Sequence, residues 1–448
     1  MAGKAATTML AALAVLSVGC TSSAGQQTGA ASSSSGSTET GASGTSTSSP
    51  TSAGCSFDEV PPTAGMSWVA EANRTVTAPT VDGATVYVGS NGVMADEGCV
   101  AALDASNGKV RWVANGPIDA GTVPVVAGGL VLASIGGGLL RAYDAATGQV
   151  AWTAGSTGMP GATPRVVDGV VYYGSGTTLR ALDVVTGQAR WEASVPGVLA
   201  SGAAGDGVIA VSFSGTQLRT RAVDRGSGAT LWETAVGASS SAAWAVTSST
   251  VVLLNAPNVL YGLDRATGAQ RWKYNVPGSE NGPPLVDGDT LYFGADDNRM
   301  YSFNAADGTV SWSTDVGGFS GTATPALAGD VLVAVPTVRS APVVGLDPAN
   351  GAVRWQVAPP QPASCDTCSA VYANVTSPLV VDGTVLEGVS ERHAGWLMAI
   401  DVASGALIGA QKITDSVDRT LSADAGHLYL RFGTTGVAAV ALPLPAAG

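Results

Sequence analysis

The chain has 448 residues, of which 34 are acidic and 21 are Lys or Arg, so its formal net charge is −13 at pH 7. This charge has the wrong sign for neutralising nucleic-acid phosphates, and it also opposes adhesion to an anionic lipid surface. We therefore expect no nucleic-acid partner. Any attachment to a membrane must come from an interaction other than electrostatic attraction to the lipid.

The first twenty residues are typical of an export signal. Lys4 precedes an apolar run at 9–18 that is too short to span a bilayer. The string Leu-Ser-Val-Gly-Cys at 16–20 resembles the end of a bacterial lipoprotein signal, in which the cysteine is lipidated and begins the mature chain. We predict a signal peptide at 1–19 and a lipid anchor on Cys20, with ordinary secretion as the alternative.

The segment after Cys20 has a different composition. Residues 21–54 are almost wholly Ser, Thr, Gly and Ala, with Glu39 as the single charge. Such a segment has too little apolar surface to offset the entropy of ordering. We predict that 20–54 is a lipid-anchored flexible tether with a reach of roughly 30 Å, and that it carries one domain at 55–448.

The rest of the chain repeats one string. Its first copy, at 102–112, has Asp104 eight residues and Gly108 four residues before Trp112. Later copies follow at intervals of 40, 39, 41, 40, 40 and 43 residues and end at Trp152, Trp191, Trp232, Trp272, Trp312 and Trp355. A further copy at 399–409 has Gly409 in place of tryptophan. A period of about forty residues predicts a β-propeller.

Each repeat contains two turn signals. A D-G turn, as at Asp82-Gly83, joins the first and second strands. The Asp–Gly turn of the repeated string joins the third strand to the fourth, which carries the tryptophan. We expect the Asp carboxylate to cap backbone N–H groups in its turn, and each indole to pack between blades with its N–H bonded.

The number of units sets the size of the ring. Eight units run from about 77 to 412, and a half unit at 422–442 lacks its outer strand. Trp68 lies forty-four residues before Trp112, so its segment can supply that strand. Closed propellers more commonly have four to eight blades. We predict a single all-β closed propeller of four-stranded antiparallel blades, about eight and up to nine in number, closed by an N-terminal strand.

The string Ala-x-Asp-x-x-x-Gly-x-x-x-Trp resembles the tryptophan-docking repeat of the pyrroloquinoline quinone (PQQ)-like propeller superfamily, over 63–442. That superfamily contains the quinoprotein dehydrogenases and a non-catalytic branch typified by the accessory propeller lipoprotein of the outer-membrane barrel assembly machinery. The signal, tether, compact repeats and terminal strand exchange resemble the second branch more closely. The resemblance implies the fold and says little about function.

An enzyme needs a site, and the sequence contains no constellation that suggests one. The dehydrogenase branch is typified by a disulfide between adjacent cysteines, a calcium ion and a catalytic aspartate, whereas no two cysteines are adjacent here. His393 and His427 lie in different units and form no metal-ligand or nucleophile–base cluster. We predict no cofactor, no metal and no catalytic residue. A PQQ-dependent dehydrogenase and a propeller that binds a small ligand are the alternatives.

The cysteines other than Cys20 are Cys55, Cys99, Cys365 and Cys368. An even number is typical of an exported protein in an oxidising compartment. We predict one bridge between Cys55 and Cys99, which would hold the end of the tether to the ring, and a second between Cys365 and Cys368. A redox dithiol or a zinc site is the alternative for this C-x-x-C pair.

These features predict an exported, monomeric propeller that binds envelope proteins as a scaffold. It would lie at the outer face of the bacterial cell membrane, or face the periplasm if an outer membrane exists. Binding is expected where units depart from the repeat, at 89–100, 356–376 and 387–396. The candidate anchors are Tyr372, Arg392 and Trp396. The alternative for Trp396 is packing in place of the tryptophan missing at Gly409.

Overall fold

The computed structural model describes residues 16–17, 55–62, 65–90, 98–116, 118, 122–155, 163–205, 207–214, 219–235, 241–255, 258–278, 283–318, 324–337, 341–360, 374–391, 394–413 and 417–446. Within these ranges no helix has the length and apolarity needed to cross a membrane. The predicted signal peptide and tether, apart from Leu16–Ser17, lie outside the described residues.

The described strands form nine antiparallel sheets, which are the blades of one closed propeller. The all-β prediction is confirmed, and the blade number is the upper value that the repeat count allowed. From inner to outer strand, blades 1 to 4 are Thr80–Asp82, Thr85–Ser90, Cys99–Asp104 and Val110–Asn115; Val125–Ala127, Leu130–Ile135, Leu139–Asp144 and Val150–Gly155; Arg165–Val167, Val170–Ser175, Thr178–Asp183 and Ala189–Ser194; Val198–Gly205, Val208–Ser214, Arg219–Asp224 and Thr230–Thr234.

The remaining blades have the same order, except that the inner strand of blade 8 is in two pieces. Blades 5 to 8 are Ser241–Val246, Thr250–Asn255, Val259–Asp264 and Gln270–Asn275; Leu285–Asp287, Thr290–Gly294, Arg299–Asn304 and Thr309–Asp315; Ala326–Ala328, Val331–Ala334, Val343–Leu346 and Val353–Val357; Asn374–Val375 with Leu379–Val381, Thr384–Glu391, Ala394–Asp401 and Leu407–Ile413. A two-residue strand, Leu16–Ser17, pairs with the inner strand of blade 4.

Blade 9 joins the two ends of the chain. Its inner three strands are Val417–Ala423, His427–Phe432 and Gly436–Ala441, and its outer strand is the N-terminal segment Trp68–Ala72. Trp68 lies opposite Ala439 in this antiparallel pair. The predicted non-covalent closure is therefore confirmed, and Phe57–Val60 adds a fifth strand at the edge of the blade.

The antiparallel topology gives the ring two different faces. The turns between first and second strands and between third and fourth strands lie on one face, which we call the turn face. The second-to-third connections and the links between blades begin and end on the other, which we call the loop face. The strands that flank the irregular segments 91–97, 361–373 and 392–393 all end on the loop face.

Each outer-strand tryptophan docks on the next blade. Its indole Nε1 donates a hydrogen bond of 2.7–3.1 Å to the carbonyl oxygen of the residue after the repeat Asp or Asn, and the pairs are Trp68–Ala105, Trp112–Ala145, Trp152–Val184, Trp191–Arg225, Trp232–Arg265, Trp272–Ala305, Trp312–Pro348 and Trp355–Val402. Eight of the nine blade-to-blade contacts are made in this way.

The glycine of the repeated turn is required by this docking. Gly268 has a φ of +73°, and a β-carbon there would come within 2.6 Å of the Cδ2 atom of Trp232. A side chain is thus disfavoured both by the backbone conformation and by the indole. The same relation holds between Gly148 and Trp112. The Gly and Trp positions of the repeat therefore correspond to a contact between each tryptophan and the turn glycine of the next blade.

The aspartate of the repeat caps the same turn. Oδ1 of Asp144, for example, accepts hydrogen bonds from the backbone N–H groups of Ala146 and Thr147. Hydrogen bonds from Ser106 and Arg111 lower the pKa of Asp104 to about 2. These carboxylates are therefore used by the turns, as the sequence predicted.

Candidate functional site at the ring closure

The sequence placed the interaction site in the two irregular units, which are blades 1 and 8. Blade 9 lies between them, so the two irregular units are not direct neighbours. Of the predicted anchors, Trp396 is described, whereas Tyr372 and Arg392 lie outside the described residues, as do Cys20, Cys365 and Cys368. The described residues of the candidate site belong to blades 8, 9 and 1.

A disulfide joins the end of the tether to blade 1. Cys55 and Cys99 are bonded with a Cα–Cα distance of 5.9 Å, which confirms the predicted pairing. The backbone N–H of Cys55 also donates to Oδ1 of Asn115, at the end of the outer strand of blade 1. Both half-cystines are buried at the loop face. A force that pulls on the tether would therefore act on blade 1 before it acts on Trp68–Ala72, the strand that closes the ring.

The contact between blades 8 and 9 is made without a tryptophan. Gly409 stands at the tryptophan position, and the buried Leu444 of the C-terminal tail lies against it. The tail is held there by a hydrogen bond of 2.9 Å from the backbone N–H of Ala410 to the carbonyl oxygen of Pro445. Leu444, rather than Trp396, therefore fills the space that an indole fills elsewhere.

Trp396 packs on the other side of blade 8. Trp396 is in the third strand of blade 8, opposite Val389 in the second strand. It contacts the apolar cluster between blades 7 and 8, which includes Trp355 and Met398. Its side chain is half-buried, so part of the indole reaches the solvent near the loop face. A half-buried indole is the type of side chain that contributes strongly to protein interfaces.

Glu387 is a fully buried carboxyl group in the second strand of blade 8. Its Oε1 atom accepts hydrogen bonds of 3.1 Å from both the backbone N–H and the hydroxyl of Thr376. Its Oε2 atom has no hydrogen-bond partner among the described residues. Burial raises the pKa of Glu387 well above its usual range, since the interior disfavours the charged form.

The sequence reasoning did not single out Glu387, although a signal was present. The strand registers align it with eight positions in the other blades that carry apolar or aromatic residues, namely Val88, Ala133, Tyr173, Val211, Leu253, Phe293, Ala334 and Leu430. An acid in an otherwise apolar register position could have marked it. Through Thr376, Glu387 holds the chain where it re-enters blade 8 after the irregular segment.

The dehydrogenase alternative can be tested against the described side chains. In the ranges that the structure describes, no three His, Cys, Asp or Glu residues come together as ligands for a metal ion. The cysteines of the described disulfide are separated by 44 positions rather than adjacent. The described disulfide therefore differs from the bridge between adjacent cysteines that typifies quinoprotein dehydrogenases.

Comparison with known families gives one match that extends over most of the chain. The model of the family described as outer membrane protein assembly factor BamB matches residues 31–211 and 217–442. No curated protein sequence matches the chain significantly.

Three solved structures are similar to this chain over most of its length. BamB from Moraxella catarrhalis is 18% identical, with 71% of this chain and 96% of that chain covered and a TM-score of 0.48. The computationally designed Ika8 protein is 13% identical over 71% and 95%, with a TM-score of 0.51. A quinohemoprotein alcohol dehydrogenase from Pseudomonas putida HK5 is 14% identical over 86% and 78%, with a TM-score of 0.49. At 13% identity, the likeness to the Ika8 structure concerns the fold alone.

Proposed function

Because the chain belongs to the family of the outer membrane protein assembly factor BamB, we propose that it is an exported, lipid-anchored propeller that binds other envelope proteins as a scaffold. The observation that carries this proposal is the family match, which covers nearly all of the ring. Cys20 would carry the lipid, and 21–54 would hold the ring away from the membrane without fixing its orientation.

Two described features support export and binding. The Cys55–Cys99 disulfide is suited to an oxidising compartment outside the cytoplasm. The tryptophans, glycines and aspartates of the repeat are used by docking and turn capping, so the repeat itself offers little chemistry for catalysis. Recognition would then fall to the loop face of blades 1 and 8, where the chain departs from the repeat and Trp396 is half-buried.

The anchor is tested by location in the cell. Cys20→Ala should move the protein from the membrane fraction to the soluble exported fraction, because the negative chain has no other attraction to anionic lipid. The matched control is Ser22→Ala, which leaves the lipidation residue intact and should stay in the membrane fraction. If the Cys20 variant remains membrane-bound after a salt wash, the lipid anchor is refuted.

Binding is tested by cross-linking in intact cells followed by purification of the tagged chain. Trp396→Ala, Tyr372→Ala and Arg392→Glu should each reduce the yield of a cross-linked envelope protein. Arg190→Glu, at the turn face of blade 3, should leave that yield unchanged. Unchanged capture by all three loop-face variants would contradict the proposed site. A chromophore and dye-linked alcohol oxidation on addition of PQQ and Ca²⁺ would support the dehydrogenase alternative.

A further inference from the structure

Phe57–Val60 is the outermost strand of blade 9, and one of its two edges is free. Its inner edge pairs with Trp68–Ala72. Among the described strands, none lies against its outer edge. In the other eight blades the outermost described strand is the fourth one, so this additional strand and its edge belong to blade 9 alone.

The hydrogen-bond pattern of the antiparallel pair decides which backbone groups lie on the free edge. The backbone N–H of Asn73 donates to the carbonyl oxygen of Ser56 at 3.2 Å, so these two residues form a hydrogen-bonded pair. Hydrogen-bonded and non-hydrogen-bonded pairs alternate along an antiparallel ladder. The N–H and C=O groups of Phe57 and Glu59 therefore point away from the neighbouring strand, where a further strand could pair with them.

The strand is held in place at its beginning. The buried Cys55–Cys99 disulfide joins the segment just before it to blade 1. The backbone N–H of Ser56 donates to the side chain of Asn73 at 3.3 Å. Phe57 is buried in the apolar cluster between blades 9 and 1. The edge is therefore fixed in its extended conformation before a partner binds, which lowers the entropy cost of binding.

The face of the strand toward blade 1 borders a recess of about 440 Å³. Its lining includes the apolar residues Phe57, Ala70 and Val110 and the charged residues Glu59 and Lys109. Val110, at the start of the outer strand of blade 1, is 41% exposed. A small apolar side chain on this face of an added strand would have room in the recess and an apolar surface to cover.

The opposite face of the strand carries two like charges. Asp58 lies directly opposite Glu71 in the antiparallel pair, and both side chains are exposed. No ion pair in the described part of the chain includes either carboxylate. Like charges directly opposite each other in a sheet are destabilising. A cation that an added strand placed beside them would offset this repulsion.

These charges distinguish between the possible occupants of the edge. Pairing with the same edge of a second copy would bring Asp58 and Glu59 close to their own counterparts, which is repulsive. The tether at 21–54 has Glu39 as its single charge and supplies no cation. A partner segment with Lys or Arg at alternate positions complements the acidic face. Main-chain pairing at a sheet edge is a general mode of peptide recognition.

We propose that the free edge of Phe57–Val60 binds an extended, basic segment of a partner protein as a further strand of blade 9. Alternate Lys or Arg side chains of that segment lie beside Asp58 and Glu71, and the intervening small apolar side chains enter the recess beside Val110. This surface goes beyond the loop-face site around Trp396 in blade 8 and does not depend on the lipid anchor.

The test is the fluorescence anisotropy of a labelled short peptide in which Lys and Val alternate, titrated with the purified exported chain with its disulfide intact. The peptide should bind, and more weakly at high salt, because the charges are exposed. The same peptide with Glu in place of Lys should not bind. A version with every backbone amide N-methylated keeps the charges but donates no main-chain hydrogen bond, and it should bind about tenfold more weakly or less.

Variants of the chain test the same edge. Glu59→Pro removes an N–H that points away from Trp68–Ala72, so the pairing within blade 9 is retained. It should weaken peptide binding by about tenfold or more relative to Glu59→Gln, which keeps the N–H and controls for the charge. Asp58→Asn should weaken binding at low salt. Asp82→Asn removes an exposed acid of blade 1 outside the recess and should leave binding unchanged.

The proposal is overturned if the basic peptide does not bind the unaltered chain. It is also overturned if the N-methylated peptide binds equally well, because charge alone would then account for binding, or if folded Glu59→Pro binds as tightly as Glu59→Gln. Self-association of the unaltered chain that Glu59→Pro abolishes would assign the edge to a second copy instead. Trp396→Ala should bind the peptide normally, so failure of the loop-face site and failure of this edge are distinguishable.

Discussion

Leu444 lies directly on Gly409, at the contact between blades 8 and 9. A β-carbon on residue 409 would come within 2.9 Å of both the Cβ atom and the carbonyl oxygen of Leu444. The other eight contacts between blades use an outer-strand tryptophan at this position. The C-terminal tail thus replaces the indole at the blade that completes the ring.

Gly409→Ala should lower the free energy of unfolding by about 1–3 kcal/mol, because the added methyl overpacks a contact with backbone atoms. The measurement is the midpoint of urea unfolding. Gly226→Ala is the control, since its nearest neighbour would be 3.5 Å away, and its effect should be within about 0.5 kcal/mol. Equal midpoints for the two variants would show that the tail does not pack on blade 8.

Trp232→Ala should lower the free energy of unfolding by about 3–5 kcal/mol, because it empties a buried site and breaks the hydrogen bond to Arg265. Leu231→Ala, one residue earlier and 44% exposed, should change it by about 0.5 kcal/mol or less. Denaturant midpoints for the two variants give the comparison. A small loss for Trp232→Ala would contradict docking between blades.

Removal of the described disulfide should also destabilise the ring. Cys55 and Cys99 close a loop of 44 residues, and the double variant Cys55→Ala/Cys99→Ala should lose about 2–4 kcal/mol. Unfolding is measured with and without reductant. The double variant under reductant isolates any contribution of Cys365 and Cys368. A double variant as stable as the unaltered oxidised chain would refute a structural role for the bridge.

Stability should fall with rising pH because of Glu387. Its folded pKa is raised above the ordinary value of 4.5, so the folded state binds more protons than the unfolded state above that pH. This stabilisation is complete below the unfolded pKa and is lost as the pH rises through the folded pKa. Glu387→Gln removes the titrating group and should be more stable than the unaltered chain at pH 9, with a smaller difference at pH 5.

Thermal unfolding between pH 5 and pH 9 checks this dependence. Glu71→Gln, which removes an exposed carboxylate from the closing strand, is the matched control for a change in net charge. If the midpoints of Glu387→Gln and the unaltered chain run parallel across this range, the burial of the acid does not govern the pH dependence.

The sequence by itself determined the repeating part of this protein. Contacts in the ring are mostly between one blade and the next, so a contact such as that of Trp232 with Gly268 recurs at a fixed spacing and is visible as a period. Trp68, which precedes the first full unit, and the half unit at 422–442 likewise predicted that an N-terminal strand closes the ring. The Cys55–Cys99 pairing followed from the position of each cysteine relative to that closure.

Only the tertiary structure decided the features that depart from the repeat. The placement of Leu444 on Gly409 and the burial of Glu387 depend on strand register and on how one blade faces another. A single residue in one blade has no counterpart at the repeat spacing, so no period reveals which neighbour it meets. Its partners are fixed by the packing of the closed ring, which brings together residues far apart in the chain.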